Sequence, residues 1–188
     1  MALAFDDIAA LFASRGGARY GGERVTQTAH ALQAAWLAER SGADGELITA
    51  ALLHDLGHLL HEWGGTPTAR GIDDRHQFGA LPFLRGLFGA RVLDAIRWHV
   101  DAKRYLCATR PGYQAALSPD SRRSLVLQGG VFSPAQARAF VARPHAREAL
   151  RLRLWDDQAK IDALPTPGMD HYLGIAARCR LGRAQRWA

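Results

Sequence analysis

Apolar residues recur along this chain mostly at helical spacing, and the breaks in that recurrence divide it into short and medium helices. Ile8, Leu11 and Phe12 mark one face of a helix over about 6–14, ahead of the turn-forming runs Ser14-Arg-Gly-Gly and Tyr20-Gly-Gly. Ala29, Leu32, Ala35 and Trp36 give the packed side of a second helix over about 25–40, with His30 beside the stripe, and Ser41-Gly42 stops it. Ile48, Ala51, Leu52 and Leu56 predict a third over about 46–60, entered from Asp44 or Gly45 and carrying His54, Asp55 and His58. Residues 62–71, rich in glycine, threonine and proline, read as a loop bordering a pocket. Asp73 or Asp74 is expected to cap a helix that carries His76 and leads toward Pro82. A helix around 89–107 sets His99 and Lys103 one turn apart on the same face. Ser118-Pro119 and Ser133-Pro134 each predict a helix start, because proline fits the first turn, where no amide donor is needed. A long late helix over 145–164, ended by Pro165, and a last one near 169–181 close the bundle. The expected fold is all-α, a compact helical bundle forming one domain over 1–188.

Composition narrows the function only slightly. A chain of 188 residues can fill one core. Its net charge of +6 and pI near 10.0 favour anionic small molecules or nucleic acid. The excess is scattered arginine with no run of five basic residues, however, so the charge alone selects no nucleic-acid reader. Charged residues and glycine interrupt every apolar stretch before membrane-spanning length, and no basic leader precedes a hydrophobic segment at the start. A cytoplasmic protein without membrane or nucleic-acid partners is therefore expected. Cys107 and Cys179 lie too far apart in sequence for a zinc or iron-sulfur motif.

Histidine and aspartate change the picture more. His30, His54, Asp55, His76, His99 and Asp156 are distributed over five predicted helices, and burying six such groups separately would be costly. A shared metal centre gives their polar atoms a common partner. Imidazole nitrogen and carboxylate oxygen suit iron, manganese, cobalt or zinc, and one carboxylate can bridge two cations. On a continuous helix, His54 and Asp55 would project about 100° apart, so both reach one centre only if it lies between their directions, with Asp55 as the bridge. His30, His54 and Asp156 would then serve one metal, and His76 and His99 the other.

His30, His54-Asp55 and Asp156 resemble the four-ligand signature of HD-domain metalloproteins. With His76 and His99 added, the set is similar to the six-ligand mixed-valent diiron oxygenases. Tyr20-Gly-Gly-Glu23, Val25-Thr-Gln-Thr-Ala-His30, Leu52-Leu-His-Asp-Leu-Gly-His58, Ile72-Asp-Asp-Arg-His76, His99-Val-Asp-Ala-Lys-Arg-Tyr-Leu-Cys107 and Trp155-Asp-Asp-Gln-Ala-Lys160 resemble the phosphonate-degrading members, over nearly the whole chain. Myo-inositol oxygenase is a less close match.

That resemblance implies two iron ions, mixed-valent Fe(II)/Fe(III) in the active form, with molecular oxygen as co-substrate. It also implies cleavage of the carbon-phosphorus bond of a 2-amino- or 2-trimethylamino-1-hydroxyethylphosphonate to phosphate and glycine or glycine betaine. An upstream phosphonate hydroxylase would supply such a substrate. Lys103 and Arg153, each within one turn of a ligand, would hold the phosphonate. His58 would contact the substrate or orient a ligand, Ser124 and Gln128 would line the phosphonate side or cap a helix, and Tyr20 and Glu23 would form a lid pair at the nitrogen end. Lys103, His58, Tyr20 and Glu23 are the residues expected to take part in catalysis. Arg153-Leu-Trp-Asp156 resembles the last HD-domain segment, which assigns Asp156 to metal and Asp157 to a cap, ion pair or supporting contact. The competing readings are an HD phosphohydrolase, which needs no oxygen, and a basic nucleic-acid-binding protein.

Overall fold

The computed structural model describes residues 4–61 and 66–182. Residues 62–65 of the expected loop lie outside them. The chain forms α1 (Phe5–Arg15), α2 (Gln27–Arg40), α3 (Gly45–Leu53), α4 (His76–Gly79), α5 (Leu81–Leu84), α6 (Ala90–Thr109), α7 (Tyr113–Ala116), α8 (Pro119–Leu127), α9 (Pro134–Val141), α10 (Ala146–Gln158) and α11 (Met169–Arg178). Short 3-10 turns cover Leu56–Leu59 and Pro67–Arg70. Among the described residues the only strand-like pairing is one antiparallel bridge, Arg19 to Thr26.

Helix starts follow local chemistry. The Thr26, Asp44, Ser118 and Ser133 side chains each accept a backbone N–H of the first turn, and Gln136 returns the bond to the Ser133 amide. Buried alanines, Ala34, Ala35 and Ala38 of α2 and Ala50 and Ala51 of α3, let these two helices pack closely. Their core continues into Leu52, Leu53, Ile96, Leu152 and Tyr172, all almost wholly buried. α6 and α10 lie along each other, and α2, α3, α6 and α10 together surround the polar centre.

Three expectations need correction. The third helix does not run to residue 60. It ends at Leu53, Asp55 leaves helical geometry at φ −104° and ψ 12°, and the chain continues as the 3-10 turn. This break replaces the 100° spacing of a continuous helix and turns His54 and Asp55 toward one point. Neither Asp73 nor Asp74 is the N-cap residue of α4: Arg75 occupies that position in the left-handed region, φ 50°. The long late helix stops at Gln158, well before Pro165. There the Gln33 amide captures the following backbone, donating to the Ile161 carbonyl at 2.7 Å and accepting the Ile161 N–H at 3.0 Å. Those bonds satisfy backbone groups that a continued helix would have paired internally.

Candidate metal centre

His30 comes from α2, His54 from the end of α3, Asp55 from the junction that follows, His76 from the start of α4, His99 from α6 and Asp156 from α10. All six are buried, none more than 9% exposed. Three of the histidines have Nδ1 against a backbone carbonyl: His30 on Ala159 at 2.8 Å, His54 on Ala51 at 2.8 Å and His99 on Ile96 at 2.7 Å. His76 has Nδ1 at 2.8 Å from Asp74 Oδ1. A carbonyl or carboxylate can only accept, so each Nδ1 carries a proton, and in the neutral ring the lone pair lies on Nε2.

Those four lone pairs converge in two facing pairs. Nε2 of His30 lies 3.2 Å from Nε2 of His54, and Nε2 of His76 lies 3.2 Å from Nε2 of His99. Between them sits Asp55, with Oδ2 at 3.4 and 3.3 Å from His30 and His54 and Oδ1 at 3.4 and 3.6 Å from His76 and His99. Neither Asp55 oxygen has a hydrogen-bond partner. Asp156 Oδ1 stands 3.4 Å from His30 Nε2 on the first side. Two pairs of facing acceptors around an unpartnered buried carboxylate fit cations and little else, and the donor set is one that binds transition metals. His30, His54, Asp55 and Asp156 form one group able to hold a metal ion, and Asp55, His76 and His99 form another.

Electrostatics agree with that geometry. Burial pushes the Asp55 carboxyl up, but the imidazoles of His54, His58 and His76 outweigh it and hold the group well below the usual range. Burial acts likewise on Asp156, where the Arg153 guanidinium, 2.7 Å from Oδ2, is the main opposing influence and keeps it ionised. Burial lowers His54, yet Asp55 and Asp156 raise it to about 9, so the two carboxylates attract positive charge into the centre. His99 is pushed far down by burial and stays neutral, as a ligand must be.

A cavity of about 440 Å³ opens over the centre, lined among others by Tyr20, His58, Lys103, Ser124, Gln128 and Arg153. Lys103 Nζ donates to Ser124 Oγ at 2.7 Å, and burial together with the nearby Arg153 charge lowers its pKa to about 7. The buried Gln128 Oε1 has no partner. Tyr20 stacks on His30 with ring centroids 3.7 Å apart and brings its hydroxyl to 3.5 Å from Asp156 Oδ1. His58 stacks on His76 and turns Nε2 to 3.9 Å from Asp55 Oδ1.

Glu23 does not line this cavity. Its carboxylate lies 3.9 Å from Lys160 Nζ, and that ammonium also reaches Ser121 Oγ at 3.3 Å and stands over the Tyr20 ring. Asp157 is in neither of the two metal-holding groups and pairs with Arg153 and Tyr113. Sequence reasoning assigned no part in the site to Tyr113, which accepts from Arg153 Nε at 3.2 Å, or to Lys160. It also read Asp74 only as a cap, although the Asp74-Arg-His76 spacing was a usable signal.

Comparison with known proteins matches residues 28–157 to the HD domain family. The 1-hydroxy-2-(trimethylamino)ethylphosphonate dioxygenase (glycine-betaine-forming) of Leisingera caerulea is 37% identical over 171 residues, 91% of this chain and 87% of that protein. The hydroxymethylphosphonate dioxygenase of Gimesia maris is 43% identical over 157 residues, 83% of this chain and 78% of that protein.

Proposed function

The chain belongs to the HD-domain family, in the branch of the phosphonate dioxygenases, and from that premise we propose that it cleaves the carbon-phosphorus bond of a small 1-hydroxyphosphonate with molecular oxygen at a dinuclear iron centre. The observation that carries this reading is the unpartnered Asp55 carboxylate between two facing pairs of imidazole Nε2 atoms. His30, His54 and Asp156 would hold one iron, His76 and His99 the other, with Asp55 shared. When bound, the irons supply the redox chemistry that activates oxygen. In the sum, a 1-hydroxyphosphonate and one O2 become a carboxylate and phosphate. Carbon and phosphorus each gain one oxygen, and no external reductant is consumed. Because the substrate already carries a hydroxyl beside phosphorus, a hydroxylating enzyme must act before this one.

The protein's own groups bind and orient. Lys103 and Arg153 present cationic donors to the phosphonate, and Ser124 adds a hydroxyl already fixed by Lys103. The Gln128 amide lines the same side with its oxygen unpaired, free to take a protonated phosphonate oxygen. His58 keeps its Nε2 lone pair toward the centre and receives the proton of the 1-hydroxyl. Burial weakens this base, but Asp55 and Asp74 more than restore it, raising His58 above its ordinary value. Tyr20 covers the His30 side and excludes water there.

The substrate would carry either a cationic nitrogen tail or no tail at all. The Tyr20-Gly-Gly-Glu23 segment, whose tyrosine lines the cavity while Glu23 lies outside it, would favour 2-amino- or 2-trimethylamino-1-hydroxyethylphosphonate, which would yield glycine or glycine betaine. The Glu23–Lys160 contact favours a second reading, hydroxymethylphosphonate, because an acid already facing an ammonium has less charge to offer a cationic tail. The test is phosphate release from all three compounds by anaerobically iron-loaded protein when oxygen is admitted. We expect oxygen-dependent phosphate from at least one. Phosphate formed equally without oxygen from a phosphate ester would instead identify a hydrolase, and silence on all three compounds would overturn the assignment.

A further inference from the structure

Asp74 gathers three imidazoles on one carboxylate. Its Oδ1 lies 2.8 Å from His76 Nδ1, and its Oδ2 lies 2.6 Å from His58 Nδ1 and 3.1 Å from His61 Nε2. The His76 backbone N–H adds a bond to Oδ1 at 3.3 Å. The Asp74 side chain is only 8% exposed, so these partners replace most of its water.

His76 needs this support because of where it sits in the fold. His54 and His99 each find an acceptor in their own helix, the carbonyl three residues earlier, and His30 is held by Ala159 of the ordered segment after α10. His76 is the first residue of a four-residue helix, preceded by Arg75 in the left-handed region. No helical turn precedes it to lend a carbonyl. His58 lies in a 3-10 turn and likewise has its Nδ1 on the carboxylate. The His58 and His76 rings stack at 4.0 Å, so a shift of one displaces the other.

We propose that Asp74 is a positioning residue that aims two rings at once, His76 at the second metal and His58 at the substrate. The proposal rests on the dinuclear reading above. A carboxylate on Nδ1 fixes the tautomer, holds the ring plane and makes Nε2 a better donor to a metal. Because one side chain serves both rings, metal occupancy at His76 and the orientation of the substrate-facing imidazole depend on the same group.

The test compares wild type with Asp74→Ala and with Asp74→Asn, which keeps the side-chain shape if alanine disturbs folding. Metal-free protein is titrated with Fe(II) without oxygen, and nitrogen-15 spectra of the histidine rings are recorded before metal is added. In wild type, His58 and His76 should carry their proton on Nδ1 and two irons should bind. In both variants the second iron should weaken about 10- to 100-fold while the first is retained, and the Nδ1 signature of His76 should be lost in Asp74→Ala. Two irons bound to Asp74→Ala at wild-type affinity, or wild-type His76 protonated on Nε2, would overturn the proposal. If wild type itself binds fewer than two irons, the dinuclear reading fails and the metal-aiming role of Asp74 fails with it. The metal-free spectra then separately decide whether Asp74 sets the ring tautomers.

Discussion

Lys103 shows how a single buried cation ties affinity to pH. It is 2% exposed, and burial with the Arg153 charge lowers its pKa to about 7. A depressed ammonium pKa means that the folded protein releases the proton while the unfolded chain, near 10.5, still holds it. Between about pH 7 and 10.5 this group therefore makes folding more favourable as pH rises, by the linkage of protons to folding. Anion binding runs the other way. The phosphonate needs the ammonium, so above about pH 7 binding must first restore a proton, at a cost approaching tenfold in affinity per pH unit. We expect the affinity advantage of wild type over Lys103→Ala to shrink steadily from pH 7 to 9, read as the ratio of their inhibition constants for a non-reactive phosphonate. A constant ratio would remove Lys103 from the anion site. Lys103 itself was legible in the sequence through its one-turn spacing from His99. The depressed pKa was not, because it arises from burial in the assembled core and from α10 packing Arg153 against the same space.

The junction between α3 and α4 is where elements, rather than single residues, set the centre. Gly57 follows the His54-Asp55 pair closely, and a Cβ at this position would stand 2.1 Å from the His76 backbone carbonyl. The glycine is required for close approach of the 3-10 turn to α4, not for an unusual φ. Gly57→Ala must push the two apart, and the obstacle is backbone, which cannot rotate away. Overpacking of this kind costs about 1–3 kcal/mol, and here it also draws His76 from His99. The expected result is a lower denaturation midpoint together with iron content falling from two toward one per chain. Unchanged iron content would show that the junction yields without moving His76. Helix starts at Asp44, Ser118 and Ser133 could be read directly, since their signals are local. The end of α3 could not, because apolar periodicity runs on through Leu56 and Leu59 while the break answers to His76, far along the chain. The end of α10 was hidden for the same reason: Gln33 of α2 captures the segment that follows.

At the scale of the whole molecule, six buried histidine and aspartate side chains from α2, the end of α3, α4, α6 and α10 occupy the middle of a helical core. Their residue types and helical spacing made the cluster and the all-α class legible from sequence. Of the supporting contacts, Asp74 on His76 lay within reach of the sequence through its two-residue spacing, whereas Asp74 on His58 and Lys160 on Glu23 depended on tertiary proximity. Such a core has a thermodynamic consequence. Without cations, the facing Nε2 atoms and an unpartnered Asp55 are held together only by the surrounding helices; with cations bound, the same atoms would join α2, α3, α4, α6 and α10. Metal that binds the native state and not the unfolded chain stabilises it by about 2.7 kcal/mol per site at a free concentration a hundred times Kd. For a protein of this size each kcal/mol moves the melting midpoint by about 2–4 °C. Removing both metals with a chelator should therefore lower the midpoint by roughly 10–20 °C, and readdition of iron without oxygen should restore it. Asp156→Asn, which disables one side only, should start from a lower midpoint and lose less on chelation. A midpoint indifferent to chelator in wild type would mean that the helices alone keep this polar centre together.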